Sequence, residues 1–245
     1  VTASRARSFG AAAAEYARYR PEYAEAAIDR ALEPVIARPA LRLLDLAAGT
    51  GKLTSALLRR GSVIAVEPDP AMLAELRARF PEGDAREGSA EAIPVPAGSV
   101  DAVLVGQAWH WFDAQRALPE IGRVLRPGGV LAALWNGDDP DVEWVAGYRE
   151  AAGIASRMRA DDGLRLPEHP DFGQSEHSAH PNPVRTTVES LIAMLATHSW
   201  SLVAEPAERE AAFARVRAYL ATRPETSAGE FELPLVTDVV RVLRR

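Results

Sequence analysis

Asp45, Gly49 and Gly51 fall in one stretch, Leu43-Leu44-Asp45-Leu46-Ala47-Ala48-Gly49-Thr50-Gly51-Lys52-Leu53-Thr54, where an apolar run meets a glycine turn and passes into a helix-like segment. Ligands of open α/β sheets bind beyond the carboxyl ends of strands, and glycine there lets backbone approach them closely. Three chemistries compete for such a loop. A dinucleotide fingerprint needs Gly-x-Gly-x-x-Gly, and Thr54 stands at the third glycine. A phosphate-cradling P-loop needs a glycine where Leu46 stands and Ser or Thr where Leu53 stands. An adenosyl group without phosphates fits better, because a carboxylate at Asp45 repels pyrophosphate but accepts hydrogen bonds from an ammonium group or water. Glu67 closes the next strand-like run about 20 residues later, where an acidic side chain can accept both hydroxyls of a ribose. A tight turn with no ligand is the competing structural reading of the same residues.

A second group of chemistry-bearing residues is Gln107-Ala108-Trp109-His110-Trp111-Phe112. Gln107 stands where this kind of sheet presents residues to a cofactor. His110 is a candidate general base or substrate anchor, and Trp109 and Trp111 flank it as candidate walls against water. The alternative is plain packing for the tryptophans and an ordinary surface or core histidine at 110. Of the other histidines, His169, His177, His180 and His198, only His177 and His180 have a metal-like spacing, with no third ligand placed beside them, so no metal is expected. Without cysteine, thiolate nucleophiles, thiolate metal sites and disulfides are excluded.

The elements that must position these residues alternate along the first half. Strands are expected over 41–46, 63–67, 83–87, 100–106 and 130–135, and helices over 11–20, 21–36, 53–60, 72–80 and 113–125, with a turn at Arg126-Pro127-Gly128-Gly129. Buried Val, Leu and Ile runs between helices imply a parallel sheet covered on both faces. The second half predicts helices over 141–159, 188–197 and 207–222, a loop with one short strand over 161–183, and a terminal strand over 231–243. Asn136, after the fifth strand, and Trp200 are further candidate pocket residues.

The segments Leu44 to Gly51, Val66-Glu67-Pro68-Asp69-Pro70-Ala71-Met72-Leu73 and Val124-Leu125-Arg126-Pro127-Gly128-Gly129 resemble class I S-adenosylmethionine (SAM)-dependent methyltransferases. More narrowly, Gly88-Ser89-Ala90-Glu91-Ala92-Ile93-Pro94 and the segment from Gln107 to Asp113 resemble the type 11 group, including relatives of trans-aconitate methyltransferase. The likeness extends to Tyr16-Ala17-Arg18-Tyr19-Arg20-Pro21 and Trp135-Asn136. It implies a Rossmann-like, mostly parallel seven-stranded sheet with helices on both faces and a helical cap from the second half. It further implies that Asp45, Ala47, Gly49 and Gly51 line the methionyl part of SAM, Glu67 the ribose, and Ser89, Ala90 and Glu91 the adenine. Ser89 stands where many relatives carry Asp, and Ala47 replaces a common glycine. Tyr16, Tyr19 and Arg20 are expected in a lid over the cofactor, with Arg20 placed for a bidentate contact to its carboxylate.

A chain of 245 residues, 47% hydrophobic, suits one α/β domain over 1–245: an N-terminal lid over 1–36, a cofactor-binding core over 37–136, cap helices and loop over 137–228, and a terminal strand over 229–245. A net charge of -6 gives no nucleic-acid footprint. No apolar run reaches the roughly 18 residues of a membrane span, and no signal peptide opens the sequence, so a cytoplasmic enzyme with a small-molecule substrate is expected. Two alternatives accompany that expectation: a non-catalytic SAM-binding protein and a nicotinamide-dependent oxidoreductase, the latter opposed by Thr54.

Overall fold

The computed structural model describes residues 15, 18–139, 141–154 and 165–245. Its elements are α1 (Glu25–Leu32), β1 (Arg42–Leu46), α2 (Lys52–Leu57), β2 (Ser62–Glu67), α3 (Pro70–Arg79), β3 (Asp84–Glu87), β4 (Val100–Gly106), α4 (Ala114–Val124) and β5 (Leu125–Asp138). There follow α5 (Glu143–Ala152), β6 (Glu176–Pro181), β7 (Val184–Thr187), α6 (Val188–Ala196), α7 (Ser199–Val203), α8 (Pro206–Leu220), β8 (Glu230–Leu233) and β9 (Leu235–Leu243). Most of the helix expected over 11–20, Tyr16 with it, lies outside the described residues, as does the later part of the helix expected over 141–159. No helix among the described residues is long and apolar enough to cross a membrane.

Seven strands form one sheet in the order β3-β2-β1-β4-β5-β9-β6. The first five run parallel, and β9 lies antiparallel between β5 and β6. This is the mostly parallel α/β sheet that the alternation predicts. Successive strand residues face opposite sides, so the sheet carries two cores. Leu43, Val63 and Leu104 pack with Ile28 and Leu32 of α1 and Leu53 and Leu57 of α2. Leu44, Val66 and Val103 pack on the other face with Leu118 and Ile121 of α4. A third cluster, with Trp144, Tyr148, Leu191, Leu195, Phe213 and Val216, holds the cap together.

Two elements differ from expectation. The terminal strand is split at Pro234, which has no N–H for a ladder. Upstream of it, β8 leaves the main sheet and pairs with β7. The expected turn at residues 126–129 is instead a bulge within a longer β5: Leu125 pairs with Val100, and pairing resumes with Val130 opposite Ala102.

Candidate functional site

Parallel order brings the carboxyl ends of β3, β2, β1, β4 and β5 to one edge, which carries Ser89, Glu67, Asp45, Gln107 and Asn136 in that spatial sequence. Beyond β1 the chain turns sharply, with positive φ at Ala47 (60°), Gly49 (56°) and Gly51 (84°). The two glycines serve different purposes. A Cβ on Gly51 would lie 2.5 Å from Leu76 Cδ1 and 2.6 Å from Phe80 Cε2, so this glycine lets the loop press against α3. A Cβ on Gly49 would meet nothing within 4 Å. That face is an open cradle.

Two carboxylates organise the cradle. Asp45 is 1% exposed; Thr54 Oγ1 donates to its Oδ2 at 2.6 Å, while Oδ1 is buried without a partner. Burial, opposed by the Thr54 hydrogen bond and helped by the nearby Glu67 charge, pushes the Asp45 carboxyl up to about 7. Glu67, also buried, accepts the Gly49 and Asp69 backbone N–H groups, each at 2.8 Å. Burial raises it to about 6 against those two hydrogen bonds. Glu67 therefore braces the glycine turn, and an ionised carboxylate retains acceptor capacity beyond two such bonds. Thr50 Oγ1 is a further buried oxygen without a partner. Orphaned oxygens beside an open glycine face suit a ligand rich in N–H and O–H donors.

Neighbouring strands complete the edge. After β3, Ala90 is buried, Ser89 is half-buried, and the Glu91 carboxylate accepts the Asp113 N–H at 3.0 Å at the start of α4. After β4, Gln107 adopts φ 58°; its amide N–H donates to the Leu134 carbonyl at 2.8 Å, and its Nε2 to the Asn136 carbonyl at 2.8 Å.

The expected acceptor residues disperse. Trp109 is 6% exposed and packs in the sheet core, edge-on to Phe112 at 5.5 Å, so its place is packing rather than a pocket wall. His110 lies at the surface on a 3-10 turn, its ring 4.5 Å from that of Trp111. Enough protein surrounds His110 that desolvation holds its imidazole below the usual histidine range. Among the described residues no carboxylate or carbonyl orients it by a hydrogen bond, which a general base ordinarily requires. Asn136 corrects another expectation, because its amide is saturated. Nδ2 donates to the Glu22 carbonyl at 3.0 Å and to the Pro21 carbonyl at 3.4 Å, and Oδ1 accepts from Thr237 Oγ1 at 2.6 Å and Asn182 Nδ2 at 3.2 Å. It rivets the N-terminal segment to the sheet and has no capacity left for a ligand. Trp200 packs in the cap, edge-on to Phe213 at 6.1 Å. Arg20 reaches the cap as well, donating to Thr197 Oγ1 at 2.9 Å and to the Thr197 carbonyl at 3.1 Å. His177 bonds Asp238 at 2.8 Å, and His180 bonds Ser178 at 3.0 Å.

A family model described as a methyltransferase domain matches residues 44–133. An uncharacterized methyltransferase of Mycobacterium tuberculosis is 44% identical over 238 residues, covering 96% of this chain and 94% of its own length. The chain belongs to the methyltransferase family. An uncharacterized methyltransferase-like protein of Schizosaccharomyces pombe is 34% identical over 228 residues, covering 89% and 88%. Among solved structures, a candidate type II methyltransferase from Anaeromyxobacter dehalogenans matches with a TM-score of 0.73 at 27% identity, over 92% of this chain and 98% of that one.

In this methyltransferase the matched domain model begins within β1 and ends within β5, so it spans Asp45, the glycine turn, Glu67, Ser89 and Gln107. Arg20, Asn136 and Trp200 lie outside it. Sequence reasoning missed Thr54 and Asp69. Thr54 was legible only as a failed glycine, yet its place one turn into α2, facing back onto β1, is what holds Asp45. Asp69 caps α3 by accepting from Ala71 and Met72, and Asp-Pro at a helix start is a readable signal for that role.

Proposed function

We propose that this chain is a SAM-dependent methyltransferase acting on a small-molecule acceptor. The observation that carries the reading is the pair of buried carboxylates, Asp45 and Glu67, at the ends of adjacent parallel strands beside the open face of Gly49. Asp45, Ala47, Gly49 and Gly51 would hold the methionyl part, with Oδ1 of Asp45 free to accept from its ammonium group. Glu67 would take the ribose hydroxyls, and Ser89 with the buried Ala90 would frame the adenine. When bound, SAM supplies a methyl group on a sulfonium, a donor already activated for displacement. The protein then needs only to align the acceptor and exclude water, which accounts for a site without a fixed catalytic constellation. Thr54 in place of the third glycine, and a carboxylate at Asp45 where a pyrophosphate would sit, oppose a nicotinamide cofactor.

Release of S-adenosylhomocysteine (SAH) from SAM, screened across small carboxylates, phenols and amines, tests the activity. Acceptor-dependent release supports it. SAM binding with no release for any acceptor class would favour a non-catalytic SAM-binding protein.

A further inference from the structure

The segment between β3 and β4 that would frame the base makes few hydrogen bonds within itself. Ser89 and Ala92 form an isolated bridge, the Ala92 N–H donating to the Ser89 carbonyl at 3.2 Å. Gly88 lets the chain fold back on itself, since a Cβ there would lie 2.6 Å from Pro94 Cδ. Ala90, Ile93 and Val95 are buried in the core that also holds Leu118 and Ile121 of α4. Ala90 is only 3% exposed, yet among the described residues its N–H and carbonyl have no hydrogen-bond partner. Buried main-chain groups are almost always paired, so an unpaired N–H here points to a ligand.

The bonds that hold this segment come largely from α4. The Glu120 carboxylate accepts the Ile93 N–H at 3.0 Å. Arg123 spans the same stretch, donating from Nη1 to the Val95 carbonyl at 2.8 Å and from Nη2 to the Ile93 carbonyl at 2.9 Å. The two side chains also grip each other, Nε to Oε1 at 2.7 Å and Nη2 to Oε2 at 2.8 Å. That forked pairing fixes the guanidinium plane where it meets the two carbonyls. The Arg123 hydrogen bonds, with the Ile93 N–H, hold the Glu120 carboxyl below the usual carboxylate range. At the start of α4 the Asp113 N–H donates to Glu91 at 3.0 Å, so the helix holds the segment at two places. A partly exposed ion pair three residues apart on one helix adds little to stability. Its three bonds to the main chain of the segment are what set it apart.

We propose that Glu120 and Arg123 are positioning residues for base recognition, fixing the main chain at 89–91 so that the Ala90 N–H selects a base edge that accepts a hydrogen bond. The proposal rests on the methyltransferase reading above and adds to it what sets base selectivity. Adenine offers an unprotonated ring nitrogen beside its amino group. Hypoxanthine carries an N–H at that nitrogen and a carbonyl beside it. The Ser89 hydroxyl can donate or accept, so it accommodates both bases, whereas a main-chain N–H can only donate. An N–H that faces another N–H away from water loses its hydrogen bond, and selectivity arises there. Such an N–H discriminates only while its direction is fixed.

Calorimetric titration with SAH and with S-inosylhomocysteine, its hypoxanthine analogue, tests the proposal. Wild type is expected to prefer SAH about ten- to a hundredfold, the worth of one unsatisfied buried donor. Arg123→Met and Glu120→Ala should weaken SAH binding about tenfold and the inosyl analogue far less, so the preference falls toward parity. Glu120→Gln removes the charge but keeps an acceptor for the Ile93 N–H, and it should retain most of the preference. That variant separates positioning from the ion pair, and the two Glu120 variants carry the test if Arg123→Met does not fold. Equal affinity of wild type for the two ligands overturns the proposal. So does an equal fall for both ligands or no fall in Arg123→Met and Glu120→Ala, or a Glu120→Gln variant as unselective as Glu120→Ala. Failure of SAH to bind the wild-type protein strikes the methyltransferase reading instead, and the proposal falls with it.

Discussion

Burial raises the Asp45 carboxyl to about 7 and that of Glu67 to about 6, both above their ordinary values of 3.8 and 4.5. A raised folded-state value means that the associated stability is fully present below about pH 4 and is lost as pH rises through 6 to 7. The ligand-free protein is thus expected to lose stability across that window as these two groups ionise. Asp45→Asn removes the titration while keeping an acceptor for Thr54. It should raise the stability of the ligand-free protein at pH 8 by about 1–2 kcal/mol, with the gain shrinking toward pH 5, while weakening SAM binding. Thermal melts at the two pH values, with and without SAM, check both halves; a variant that loses stability at pH 8 contradicts the account. The residue-level signal in the sequence was uneven. Asp45 and Glu67 were legible as carboxylates closing two successive strands, Asp45 before the glycine turn and Glu67 before Pro68-Asp69-Pro70, and the pair says more than either alone. Asn136 and Trp109 were misleading, since saturation of an amide and burial of an indole depend on neighbours distant in sequence, such as Thr237 and Asn182.

Among the elements, the glycine turn between β1 and α2 offers the sharpest contrast. Gly51→Ala places a methyl group within 2.6 Å of Leu76 and Phe80 at φ 84°, so it should lower the melting temperature markedly with or without ligand. Gly49→Ala meets no protein atom and costs only the left-handed conformation, about 1 kcal/mol. Its added methyl projects into the cradle instead, so SAM affinity should fall at least tenfold with little change in the unliganded melt. Equal effects of the two substitutions on stability would contradict this division of roles. The strands and helices of the first half from α1 onward were legible from their own apolar runs and turn signals, although α1 packs on β5 and β9 and β1 pairs with β4, all distant along the chain. The split at Pro234 was not, although the proline was visible. Its consequence depends on β7, about 50 residues earlier, offering β8 a partner.

Across the whole molecule, the edge that carries the cradle and the opposite edge do separate work. At the opposite edge Asp101, 0% exposed, accepts from Arg38 Nη1 at 3.0 Å, Arg126 Nη1 at 3.0 Å and the Arg42 N–H at 2.9 Å, tying the start of β1 and the residues before it to the β5 bulge. Burial opposes ionisation, but these partners prevail and hold its carboxyl below the usual range. Both guanidiniums are about a third exposed, so solvent screens part of the interaction. Asp101→Ala is expected to cost about 2 kcal/mol at neutral pH, with SAM affinity unchanged because the clamp and the cradle occupy opposite ends of the sheet. Chemical denaturation and calorimetry on one preparation would show whether stability and binding separate. The fold class was legible at this scale, since it follows from the order of elements.

The central claim is that the cradle at Asp45 and Glu67 is a SAM site, and calorimetric titration of the purified protein with SAH, with NAD as the control, tests it most directly. Saturable binding of SAH, its loss or strong weakening in Glu67→Ala, and no heat with NAD are the predicted results. Binding of NAD without SAH, or SAH affinity unchanged in Glu67→Ala, would contradict the account.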